Sequence, residues 1–144
     1  MFYAHLLMKC INMKVKISTK EKFTVLFPED KIYSANMAAE IAKICSTILE
    51  GNIKNVIINL GLIELIDEFE ANSLVNLQQS FYEKNASFVI CCMQKSVEQK
   101  FDEMELLEFM NCTPSESEAW DIIQMEEIER ELLDGDDIYF DPNN

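Results

Sequence analysis

The chain has 144 residues, 49% of them apolar, with 3 Gly, 3 Pro and a net charge of −14. That length and apolar content suit one domain with a sizeable core, while the scarcity of Gly and Pro excludes collagen-like and low-complexity classes and disfavours turn-rich β folds. The acidity is uneven, with 11 acids against Arg130 alone in residues 115–144. No basic stripe exists to displace counterions, so nucleic acid is excluded as a partner and a basic protein surface is favoured.

In chain order, residues 1–12 read as an extension ahead of Met13, where the globular pattern begins. Their apolar patch (Phe2, Tyr3, Leu6, Leu7, Met8) is broken by His5 and ended by Lys9, and no basic region precedes it, so the flanks of a signal peptide are missing. No apolar run approaches the roughly 20 residues that span a bilayer, and no direct membrane insertion is expected.

Residues 13–27 alternate Val15 and Ile17 with lysines, break at 19–22, then alternate again through Phe23, Val25 and Phe27. Period two on both sides of a short polar break predicts an antiparallel hairpin, closed by Pro28. From Ser34, a candidate N-cap, Met37, Ile41, Ile44 and Ile48 mark a helical face that Gly51 would end as a C-terminal cap. Residues 55–60 are β-branched and apolar at consecutive positions, the pattern of a strand covered on both faces.

After a loop at 61–67, residues 68–85 return to helical spacing with Ala71, Leu74, Leu77 and Phe81 inward. Residues 87–93 form a second buried strand. A helix carrying Val97, Phe101 and Met104 begins at Ser96, and residues 111–113 suit a brief edge strand. Ser115 and Glu118 stand at capping-box spacing ahead of a last helix with Ala119, Ile122 and Ile123 inward, expected to reach about Leu133. Residues 134–144 read as an acidic, turn-rich tail.

The order β-β-α-β-α-β-α-β-α, with one helix in each later crossover, predicts an α/β fold: a mixed sheet of four to five strands, parallel in the centre, with an N-terminal antiparallel hairpin and about four helices. One domain spans 13–133.

The chemistry-bearing residues are few. The 5 cysteines (Cys10, Cys45, Cys91, Cys92, Cys112) include no CxxC pair, and their apolar settings predict reduced, buried thiols in a reducing compartment such as the cytoplasm. Cys91 and Cys92, adjacent in a strand, should point to opposite faces. The single histidine, His5, lies in the N-terminal extension, so no metal site is expected. The carboxylates gather at helix ends and in the tail without a histidine, phosphate loop or nucleophile elbow, and neither catalytic residues nor a cofactor is expected. Trp120 suits a partly buried packing role or an interface anchor, and Phe69 either an exposed contact or a hydrophobic staple.

The strand VIINL (56–60), the loop GLIELID (61–67), the run SFVICCMQKSVEQKFDEMELLEFMNC (87–112) and the final TPSESEAWDII (113–123) together resemble the STAS family of anti-sigma-factor antagonists. The resemblance covers residues 13–125 and rests on pattern more than on identity. It implies a non-catalytic bacterial module binding a regulatory protein, an anti-sigma kinase or its like, with transcription regulation as the outcome. The family carries a phosphorylated serine in an Asp-Ser-Ser-Gly segment after the loop. Aligning Asn59 and Leu60 places Asp67 on that Asp and leaves Glu68, Phe69 and Glu70 where Ser-Ser-Gly would stand, so the usual phosphorylation position carries no hydroxyl.

Ser73 is the next hydroxyl along the chain. Acids in a first turn are ordinary dipole stabilisers, and they could also supply a fixed negative patch in place of phosphoserine. The resemblance thus assigns partner binding to 67–73 (Asp67, Glu68, Phe69, Glu70, Ser73) and to the first helix near Ser34 and Asn36. Two alternatives stay open: a structural STAS subunit of a phospholipid-transport ATPase, and a small-ligand or nucleotide-binding domain. A homodimer is compatible with each.

Overall fold

The computed structural model describes residues 14–139, with side chains to 133; the expectations for residues 1–12 and for residues 140–144 of the tail lie outside the described residues. Five strands form one sheet in the order β1-β2-β4-β6-β7: β1 Val15–Thr19, β2 Thr24–Pro28, β4 Val56–Asn59, β6 Phe88–Cys91 and β7 Cys112–Thr113. The hairpin pair β1 and β2 is antiparallel, and every later pairing is parallel. The helices are α1 (Ala35–Leu49), α2 (Glu68–Glu83), α3 (Lys95–Glu103) and α4 (Glu116–Tyr139).

Period two divides the central strands between two cores. Leu26, Val56, Ile58, Phe88 and Ile90 face α1, α2 and α3, joining Met37, Ile41, Leu74, Phe81, Val97 and Phe101 in the larger cluster. The intervening Val25, Ile57, Val89 and Cys91 face α4 and pack on Ala119 and Ile123. Helices on both sides explain why residues 56–58 and 88–91 are apolar at every position. Trp120 belongs to this second cluster, its ring stacked on Phe23 at 4.9 Å.

Polar contacts pin α4 where it crosses the amino-terminal ends of β4 and β6. Glu126 accepts from Ser87 Oγ at 2.6 Å and from Asn111 Nδ2 at 2.9 Å, Glu127 accepts from Asn55 Nδ2 at 2.7 Å, and Arg130 donates to Ser87 Oγ at 3.3 Å. The Ser115 cap forms as the spacing predicts, its hydroxyl accepting from the Glu118 N–H at 3.2 Å and donating to Glu118 Oε1 at 2.7 Å.

Four features depart from the sequence reading. A second, two-stranded parallel sheet pairs β3 (Ile32–Tyr33) with β5 (Leu65–Ile66), in segments short enough to read as loop. Helix α4 continues to Tyr139 rather than ending near Leu133, so Gly135 and its acidic neighbours do not break it. Glu50 caps α1 in a right-handed conformation and Gly51 has no positive φ, so that glycine follows the helix end without supplying a left-handed cap. Cys92 adopts φ 65° and packs against the same cluster as Cys91; burial first, with the neighbouring Cys92 side chain next, pushes the Cys91 thiol up.

Tyr33 is fully buried beside Cys45 and Glu70, and its hydroxyl finds no hydrogen-bond partner among the described residues. A buried, unpaired hydroxyl costs about 1–3 kcal/mol. Tyr33→Phe is therefore expected to leave urea stability unchanged or raise it by about 1 kcal/mol, and a clear loss would mean that the hydroxyl has a partner in solution.

Candidate functional site

The small β3–β5 sheet builds the site. Tyr33 pairs with Ile66 in parallel, so the next residues, Ser34 and Asp67, emerge side by side. Each is a helix N-cap: Ser34 Oγ accepts from the Met37 N–H at 3.2 Å, and Asp67 Oδ1 accepts from the Glu70 N–H at 3.0 Å. The amino ends of α1 and α2 are thus neighbours at the carboxyl edge of the parallel strands. The sequence-predicted residues at 34–36 and 67–70, more than 30 positions apart, are brought together.

Individual residues divide sharply. Phe69 is 75% exposed, so the staple reading does not hold, and Glu68 and Asn36 are exposed as well. Glu70 is only 3% exposed, which removes it from the outer surface. Ser73 is half-buried and spends its hydroxyl on the Glu70 carbonyl at 2.7 Å. Sequence reasoning missed Ile32, Leu62 and Leu65, each about half exposed; Ile32 and Leu65 are cross-strand partners in the small sheet. Apolar residues in a predicted loop were the available signal.

Asp67 and Glu70 behave as one acid pair. The Glu70 carboxyl, then the Glu70 backbone N–H, hold the Asp67 carboxylate below its ordinary range, with Lys100 adding a smaller pull. Glu70 is raised, first by its hydrogen bond to Asp67, then by desolvation and the Asp67 charge. The two shifts are opposite in direction, so as pH falls Glu70 takes up a proton ahead of Asp67. The raised group contributes stability that is whole below its unfolded pKa and lost as pH rises through the folded one; Asp67 contributes stability lost as pH falls through its depressed value. Glu70→Gln keeps a donor for Asp67 without the titration. The melting temperature of this variant is expected to stay level above the ordinary carboxylate range, where the parent declines, and parallel curves would refute the raised titration of Glu70.

Among the described residues no group of three His, Cys, Asp or Glu side chains could hold a metal ion, and no helix is long and apolar enough to cross a membrane. A depression of about 350 Å³ lies at the opposite end of the strands, where Lys22, Lys54 and Arg130 share the lining with Glu127 and Glu131.

A mixed five-stranded sheet, three helices on one face, one on the other, and paired helix starts at its carboxyl edge define a class of α/β sandwich. The STAS domain profile matches residues 14–119, and the chain belongs to the STAS domain family. Similar solved structures share its fold. A candidate anti-sigma-factor antagonist from Thermotoga maritima is 18% identical, with a TM-score of 0.67 over 76% of this chain and 94% of that one. The anti-sigma factor antagonist SpoIIAA in its unphosphorylated form is 16% identical, with a TM-score of 0.62 over 76% and 96%. The Bacillus cell fate determinant SpoIIAA in the phosphorylated form is 15% identical, with a TM-score of 0.57 over 76% and 98%. No curated protein sequence matches the chain.

Proposed function

We propose that this STAS domain is a non-catalytic interaction module that binds a regulatory protein through the start of α1, the loop at 61–67 and the first turn of α2. The observation that carries the reading is a set of exposed apolar residues, Ile32 and Leu65 as cross-strand partners with Leu62 and Phe69 within four positions of Leu65 in the chain, beside the exposed Asp67 and Glu68. A large exposed aromatic side chain among aliphatic ones, with a charged rim, is the composition of a binding hot spot. Similarity to anti-sigma-factor antagonists favours an anti-sigma kinase-like regulator as the partner. Positions 68–70 offer no hydroxyl and the half-buried Ser73 donates its hydroxyl to the Glu70 carbonyl, so the contact is read as independent of phosphorylation at this turn. The same feature suits the second reading, a constitutive STAS subunit of a lipid-transport ATPase, which would use this face without a switch.

The test is affinity capture from the source organism with the parent chain and with Phe69→Ala. A kinase-like regulator retained by the parent and lost by the variant supports the reading. Retention equal for both removes this face from the interaction, and a transporter subunit in its place selects the second reading.

A further inference from the structure

Helix α4 carries apolar residues on two faces. The inner one, with Ala119 and Ile123, is closed against the sheet. Met125, Ile128 and Leu132 follow at spacings of three and four on the other side, each more than half exposed. At about 100° per residue these three fall within an arc of about 60°, roughly opposite Ala119 and Ile123. The same rotation places Asp121 on the same line, with Glu129 and Glu131 beside it. Burial on the sheet does not explain this stripe, because the contacts of Glu126, Glu127 and Arg130 already fix which side of α4 faces inward.

We infer that the outer face of α4 around Met125, Ile128 and Leu132 is a second docking surface, and that its occupant is a basic amphipathic helix of a partner protein. Charge decides the occupant. Residues 116–133 contain seven acids and one base, Arg130, which is engaged with Ser87. A second copy of this chain laid along the stripe would set Asp121, Glu129 and Glu131 against like charges. A helix with aliphatic residues at the same spacing, flanked by Lys or Arg, instead matches the apolar seam and the acidic margins together. Since α4 lies on the opposite side of the sheet from α1 and α2, this surface is separate from the Phe69 face, and both can be occupied at once.

The probe is a synthetic helix of leucine and lysine, about five turns long, with leucines at the three-four spacing and a fluorescent label. It is titrated at physiological ionic strength into the full chain, into the double variant Ile128→Ser, Leu132→Ser, and into Phe69→Ala. Saturable binding by the parent, weakened at least about tenfold in the double variant and unchanged in Phe69→Ala, is the expected result. A peptide of the same composition in scrambled order is expected to bind at least about tenfold more weakly. Equal affinity for both peptides, or for parent and double variant, reduces the attraction to bulk charge and overturns the proposal. So does sedimentation showing a parent dimer that the double variant lacks, since a second copy then covers the stripe. The substituted side chains are exposed, and an unchanged melting temperature verifies that the double variant is folded.

Discussion

Phe69→Ala is expected to weaken binding to the captured regulator by about 30-fold or more, the effect of losing a hot-spot aromatic worth about 2 kcal/mol, while thermal stability stays the same. Both halves follow from one fact: the ring is 75% exposed in the free chain and buries nothing in the core. Calorimetric titration measures the first half and a melting curve the second. Glu68→Lys supplies a complementary readout at the same turn, because a charge at the edge of an interface acts chiefly on the association rate and on its salt dependence. An affinity within twofold of the parent for Phe69→Ala would dismiss the exposed cluster as the contact surface.

Phe81→Ala is expected to cost about 3–5 kcal/mol, as a buried aromatic truncation leaves a cavity in addition to the lost transfer energy. Phe81 is completely buried on the inner side of α2, its ring centroid 5.2 Å from that of Phe88 at an angle of 49°. Small domains have about 5–15 kcal/mol in total, so the variant is left marginal. Equilibrium urea unfolding measures it. A loss below about 1 kcal/mol would contradict the packing of α2 on β6. The same helix thus separates two roles: its first turn offers Phe69 to solvent, while Phe81, three turns on, holds it to the sheet.

How much of this was legible beforehand follows from the range of the signals involved. The inward residues of α1 and α2 were readable because a period of 3.6 marks a buried stripe within one segment. The parallel centre was readable because runs at 56–58 and 88–91 lacked a polar face. The ends of α2 and α3 were harder. Asn85 and Glu105, both at φ 59°, occupy the left-handed position that glycine usually marks, with Ala86 N–H donating to the Phe81 carbonyl and Leu106 N–H to that of Phe101.

By itself, then, the sequence determined the order of the five main strands and four helices, the N-caps at Ser34 and Ser115, and the absence of a hydroxyl at 68–70. Tertiary structure alone decided that Ser34 and Asp67 stand together, that Ile32 and Leu65 face solvent as a pair, and that Glu70 turns inward while Phe69 turns out. Those outcomes depend on the pairing of two-residue strands 33 positions apart. A segment that short carries no period of its own, so its register is set by the larger sheet and helices on which it rests.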